Sequence, residues 1–171
     1  MDIPYELRNA IEELLSKSKT NEIVENAQKI SEKYRNNDGK GKRLLTKQNE
    51  AISYAISRMP ATYAAVYTVV QQTLENYDEK LKTLFDIGAG TGAATWAVNN
   101  LQEISETKCF ERENNMLNIG KRLMKNTELN KIEWKQFDIL KDEIVEKADI
   151  VITSYMINEL PENEKEVVIE K

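Results

Sequence analysis

Asp86, Gly88, Gly90 and Gly92 lie within seven residues, directly after the apolar run Thr83–Ile87 and directly before an apolar stretch with helical spacing. Glycine has no Cβ, so a chain built this way can turn sharply and bring its backbone close to a bound molecule. A strand entering such a turn and a helix leaving it make a corner. There, unpaired N–H groups and the positive end of the helix dipole face a ligand. The chemistry this corner offers is the binding of a nucleotide or nucleoside, with Gly88, Ala89, Gly90 and Gly92 as backbone contacts. A glycine turn with no ligand is the plain alternative. Asp86 is the one charged group at the bend.

Two ligand classes use such a corner. Gly88, Gly90 and Ala93 fit the G-x-G-x-x-A form of the dinucleotide fingerprint, in which a pyrophosphate sits on the helix start. Asp86 argues the other way, because a pyrophosphate gains nothing from a carboxylate beside it. The run Asp86–Gly92 resembles motif I of the S-adenosylmethionine-dependent methyltransferases. That resemblance implies an acid that orders the glycine loop and the methionine end of the cofactor, and it makes S-adenosyl-L-methionine the expected cofactor.

Three further positions fall at the ends of apolar runs. Glu111 follows Gly92 by 19 residues, and a carboxylate there can accept both hydroxyls of a ribose. That would serve either cofactor class; the bland reading is a surface acid beside Glu113. Asp138 would accept from the exocyclic amine of adenine, although an acid after a strand is often only a cap. Ser154, Tyr155 and Asn158 follow the most apolar run, where the reacting end of the cofactor would lie. Ser154 and Asn158 are the catalytic candidates, with Ser154 also near the cofactor; Tyr155 could equally be a packing aromatic.

Composition narrows the chemistry. The 171 residues contain no histidine, which removes the commonest general base and metal ligand, and a single cysteine. A lone Cys109 builds no disulfide or metal cluster, and its apolar surroundings suggest a buried strand thiol. The net charge is −5, with the excess acid confined to residues 81–171. Against that background Lys33, Arg35, Lys40, Lys42, Arg43 and Lys47 surround the turn-forming run 36–41, with Asp38 the sole acid among them. This is either a solvated loop or an arm that contacts phosphates. No apolar run is long enough to span a bilayer and the start does not resemble a secretory signal, so a cytoplasmic protein is expected.

The elements that must position these residues follow from spacing. Leu7, Ile11, Leu14 and Leu15 share a helical face within residues 4–18; Thr20 or Asn21 would cap a second helix carrying Ile23, Ala27, Ile30 and Tyr34. A third helix starts near Thr46. The Met59–Pro60 step breaks it, and Pro60 suits the first turn of a fourth. Residues 1–80 thus read as a helical region and 81–171 as an α/β domain. Strands are expected at 83–87, 107–111, 132–137 and 148–153, with helices after Gly92, around Met116–Met124 and after Pro161. This alternation predicts a Rossmann-like parallel sheet whose ligands sit outside the carboxyl ends of the strands.

Three pieces occur in order: Tyr54, Arg58, Met59, Pro60, Ala61, Thr62 and Tyr63 within 54–66; the glycine motif; and Ser154, Tyr155, Asn158, Glu159, Leu160 and Pro161. Together they resemble the methyltransferase-like family related to the mitochondrial small-ribosomal-subunit assembly factor, whose bacterial relatives are described as ribosomal RNA methylases. The resemblance runs from about Thr46 to the C-terminus. It implies a class I methyltransferase fold with an N-terminal helical extension, with Asp86, Gly88, Gly90 and Glu111 as cofactor contacts. It also implies ribosomal RNA or the small ribosomal subunit as partner, and no membrane. The chain departs from that pattern in three ways. Strands five to seven are missing, so an incomplete sheet of strands 1–4 in the order 3-2-1-4 is expected, with the fourth an exposed edge capable of self-association; a fragment of a longer protein is suspected. The family's C-terminal cysteine cluster has no counterpart. The loop after the fourth strand lacks the Asn/Asp-Pro-Pro-aromatic pattern of enzymes that methylate exocyclic amines. The expected function is S-adenosylmethionine-dependent methylation of small-subunit ribosomal RNA. The alternatives are a non-catalytic S-adenosylmethionine-binding assembly factor and a nicotinamide-dinucleotide enzyme.

Overall fold

A computed structural model describes residues 2–35, 45–77 and 79–171. Lys40, Lys42 and Arg43 of the basic run lie outside the described residues. Four helices come first: α1 (Tyr5–Ser16), α2 (Thr20–Arg35), α3 (Gln48–Ser57) and α4 (Met59–Leu74). Helix α2 starts at Thr20, and the carbonyl of Lys19 accepts the first helical bond, from Ile23 at 3.1 Å. Lys19 therefore stands at the cap in place of Thr20 or Asn21. Glu50 reaches back to accept the Lys47 N–H at 3.1 Å, which closes the start of α3. Arg58 alone separates α3 from α4, with Pro60 in the first turn where its missing N–H costs nothing.

The remainder alternates strand and helix: β1 (Thr83–Ile87), α5 (Ala93–Leu101), β2 (Glu106–Glu111), α6 (Asn114–Met124), β3 (Glu133–Gln136), β4 (Ile150–Ile152) and α7 (Glu162–Glu170). All four strands are parallel, in the order β3-β2-β1-β4. Asp86 of β1 pairs in register with Cys109 of β2 and Ile152 of β4.

Two strands are shorter than the apolar runs suggest. Ile132 closes a 3-10 turn over Glu128–Lys131, so β3 starts one residue later, while the N–H of Phe137 still reaches Glu111 O at 3.1 Å. Asp149 turns its carboxylate onto the N–H groups of Lys82 and Thr83, at 2.8 and 2.9 Å. It caps the neighbouring strand, and β4 starts only at Ile150.

Side chains alternate across the sheet, and this decides what each strand residue can do. Phe85 and Ile87 of β1 join Phe110, Ile139, Leu160 and Val168 beneath α7 on one face. There Phe85, Phe110 and Phe137 stack edge to face, with centroids 5.3 and 5.1 Å apart. Asp86 falls on the other face, under α5. That face holds the larger core, in which Leu7, Ala55, Met59 and Tyr63 of the first helices pack with Ala97, Leu117, Met124 and Trp134. The side-chain amide of Asn100 in α5 donates to the Tyr63 hydroxyl at 2.9 Å.

Trp134 is the bulkiest piece of that core, and Gly120 in α6 makes its slot. A Cβ at Gly120 would lie 2.2 Å from the indole ring. Replacing a helical glycine by alanine ordinarily gains about 1 kcal/mol. Here overpacking, which costs about 1–3 kcal/mol, outweighs it. We expect Gly120→Ala to lower the urea-unfolding free energy, whereas Asn118→Ala, at an exposed position of the same helix, leaves it level or slightly higher. Equal responses at the two sites would contradict this packing.

Candidate functional site

The turn after β1 is held by backbone bonds that leave little freedom. The N–H groups of Gly88 and Ala89 both donate to Phe110 O, at 2.8 and 3.1 Å, and Gly92 N–H donates to Ala89 O at 2.7 Å. Gly88 and Gly90 have φ of +70° and +58°, the left-handed region that side-chain-bearing residues rarely enter. Gly92 caps α5, and a Cβ there would meet the Met124 methyl at 2.6 Å. The φ of Gly92, +87°, is left-handed as well, so backbone and packing both call for glycine there.

Beside this turn lies a hollow of about 450 Å³ at the carboxyl ends of the strands, a size that suits a nucleoside-sized ligand. It is lined by Gly88, Gly90, Glu111, Asp138, Ser154, Tyr155 and Asn158, so seven of the residues singled out from sequence come together. Asp86, Ala89 and Gly92 do not line it. Asp86, 1% exposed, lies beneath α5. Its Oδ2 accepts from the Thr95 N–H at 3.0 Å and the Thr95 hydroxyl at 2.6 Å, while Oδ1 is buried without a partner. The alternation of β1 puts it there.

Glu111 is 7% exposed and braces the turn from the end of β2. One carboxylate oxygen accepts the Gly90 N–H and the other the Glu113 N–H, both at 2.7 Å. Asp138 serves its own turn: Oδ1 accepts the Leu140 N–H at 3.2 Å and Oδ2 lies 3.2 Å from the Lys141 ammonium. Tyr155 has φ of +63°, the only described non-glycine residue in that region, and starts a 3-10 turn over Met156–Glu159. Met156 lies against the bare face of Gly88.

The outer wall comes from the first helices, through Tyr34, Tyr54, Arg58, Ala61 and Thr62. Sequence spacing marks none of these as a site residue, nor Arg112, Glu113, Met156 and Glu159. The Arg58–Tyr63 and Ser154–Pro161 pieces carried the resemblance, and both border this one hollow. Their shared location is what the linear order conceals.

The hollow is rich in acid. Glu111, Glu113, Asp138 and Glu159 face Lys33, Arg58 and Arg112. Arg112 pairs with Glu113 at 3.3 Å and Lys33 with Glu50 at 3.1 Å; Arg58 donates to the Ser31 hydroxyl at 3.1 Å and lies over the Tyr34 ring. Burial raises Glu111 to about 7, against the pull of its two N–H donors, and raises Asp86 to about 6 despite Thr95. Burial also lifts Glu159 above the usual carboxylate range and Tyr34 and Tyr54 above the usual phenol range. Among the described residues no cluster of three or more acids, cysteines or histidines is placed to hold a metal ion, and no helix is long and apolar enough to cross a membrane.

The sequence profile described as mitochondrial small ribosomal subunit Rsm22 matches residues 48–171. The human mitochondrial ribosome assembly protein METTL17 is 26% identical over 120 residues, which is 65% of this chain and 26% of the human protein. A crystal structure of a candidate S-adenosyl-L-methionine-dependent methyltransferase from Methanococcus maripaludis superposes with a TM-score of 0.53 at 20% identity, over 66% of this chain and 52% of that one. The plantazolicin methyltransferase BpumL, solved with S-adenosylhomocysteine, gives 0.51 at 12% identity, over 96% and 51%. The chain thus spans about a quarter of the human relative and about half of each structural one. The parallel sheet with its flanking helices is the Rossmann-like fold of class I methyltransferases.

An acid whose pKa is raised by folding takes up a proton when the chain folds. Its favourable contribution is complete below the unfolded value and disappears as pH rises through the folded one. For Glu111 that window runs from 4.5 to about 7, and for Asp86 from 3.8 to about 6. Unfolding free energy in urea is therefore expected to fall between pH 5 and pH 8, by on the order of 2 kcal/mol for Glu111. Glu111→Gln should flatten that slope. An equally steep fall in the variant would show that the decline arises elsewhere.

Proposed function

The chain belongs to the mitochondrial small ribosomal subunit Rsm22 family, and from that premise we propose that it is a ribosome assembly factor of the small subunit that binds an adenosyl cofactor in the hollow beside the glycine turn. The observation that carries this reading is the placement of Glu111. Its carboxylate is buried at the end of β2, against a turn whose glycines leave the backbone bare, and borders a hollow of nucleoside size. Each oxygen accepts one N–H bond and keeps a lone pair, so the group can still accept ribose hydroxyls.

Charge argues against the nicotinamide dinucleotide. A pyrophosphate would enter a space bordered by four carboxylates, where two of the three cations are already paired with acids. A nucleoside, or a sulfonium cation, meets no such repulsion.

The residues fit S-adenosyl-L-methionine unevenly. The nucleoside end has Gly90, Glu111, Phe137, Asp138 and Ile139 around it. At the amino-acid end Met156 covers Gly88, and Asp86 is turned to Thr95, although its unpartnered Oδ1 is the kind of buried atom an ammonium would satisfy. When bound, this cofactor supplies an activated methyl group. Methylation of small-subunit ribosomal RNA is a second reading, supported by Ser154 and Asn158 reaching the same hollow, where they would position an acceptor. In addition, among the described residues β4 is hydrogen-bonded only to β1, and it leaves Val151 56% exposed, so we propose that this edge associates with a second chain.

Calorimetric titration with 5′-methylthioadenosine, S-adenosylhomocysteine and nicotinamide adenine dinucleotide tests the cofactor class. We expect binding of an adenosyl thioether, no dinucleotide binding, and at least about tenfold weaker binding by Glu111→Ala. Preference for the dinucleotide, or indifference to Glu111, contradicts the reading. Transfer of labelled methyl groups to small-subunit RNA that drops in Asn158→Ala would establish the enzymatic reading; no transfer would leave the binding role alone.

A further inference from the structure

We infer that Met156 makes this a site selective for adenosines with a short, uncharged 5′ group, and that it holds off ligands carrying an amino-acid tail. The inference rests on the adenosyl reading above and adds which part of the ligand the protein accepts. A Cβ placed on Gly88 would fall 2.5 Å from Met156 Cγ and 2.6 Å from its Cβ. The stem of the methionine thus lies flat on the one residue of the turn whose bare face should receive the ligand's tail. Gly90 differs: a Cβ there would find only the Met116 methyl, at 3.5 Å, so the nucleoside half of the turn is uncovered.

Charge works in the same direction. An amino-acid tail carries a carboxylate, and four acids border the hollow against three cations, two of which are already paired with carboxylates. Lys33 is paired with Glu50 and Arg112 with Glu113, while Arg58 is bonded to Ser31 and stacked on Tyr34. The acid expected to receive the tail's ammonium, Asp86, does not line the hollow: it lies beneath α5, bonded to Thr95. Bulk and charge therefore both oppose the tail, whereas the ribose end keeps Glu111.

Binding of 5′-methylthioadenosine and S-adenosylhomocysteine, measured by calorimetry on the wild-type chain, Met156→Ala and Met156→Leu, tests this. We expect the wild type to bind 5′-methylthioadenosine at least as tightly as S-adenosylhomocysteine. Met156→Ala should tighten S-adenosylhomocysteine about tenfold and leave 5′-methylthioadenosine within about twofold, while Met156→Leu, which keeps the bulk, should resemble the wild type. If the wild type binds S-adenosylhomocysteine clearly more tightly, the inference is overturned without reference to any variant. It is equally overturned if the alanine variant keeps its thermal transition and leaves both affinities unchanged. Should Met156→Ala not fold, Met156→Thr is read in its place. Absence of binding by both nucleosides in every protein overturns the adenosyl reading itself, and the selectivity with it.

Discussion

The bond from the Gly90 N–H to the Glu111 carboxylate ties the end of β2 to the turn that follows β1, and the rest of the site is arranged about it. The turn takes left-handed backbone at Gly88, Gly90 and Gly92, which glycine enters without steric cost but with a loss of conformational entropy that neighbouring bonds must offset. Phe110 O receives two of its N–H groups and Glu111 a third, so adjacent strands supply the restraint. A buried carboxylate is costly unless it is hydrogen-bonded, and its raised pKa reflects that cost. The arrangement gains a preformed acceptor at the mouth of a hollow.

The first four helices complete the site as well as the core. Tyr34 from α2, Tyr54 from α3 and Thr62 from α4 form the wall opposite the strand ends, and Arg58 between α3 and α4 lies over Tyr34. The Tyr34 hydroxyl faces Glu159, beyond β4, and favours its charged form, so residues more than a hundred positions apart share one polar boundary. This is how an extension outside the sheet can govern what the sheet's ligand meets.

Much of the architecture is legible in the sequence because local rules and global topology agree. Proline after Met59, the alternation of strand and helix beyond Leu84, and glycines between Asp86 and Ala93 each point to the element observed there. The departures have local causes. Asp149 spends its carboxylate on capping β1, which shortens β4, and the 3-10 turn ending at Lys131 delays β3. At the site, the corner residues Gly88, Gly90 and Glu111 are readable from spacing alone. Asp86 is not, because spacing gives its place in the chain but not that Thr95 of α5 covers it, short of the strand end where Glu111 on the same face borders the hollow. Met156, Tyr34 and Thr62 escape notice for a different reason. Their role comes from long-range packing, and each resembles an ordinary apolar or helical residue in its own neighbourhood.

A crystal structure of the chain with 5′-methylthioadenosine tests the central claim most directly. The account predicts the nucleoside in the hollow, both ribose hydroxyls on the Glu111 carboxylate, and the Gly88–Gly92 turn within van der Waals reach of it. A nucleoside bound elsewhere, or one in the hollow with Glu111 turned away from its ribose, would contradict the account.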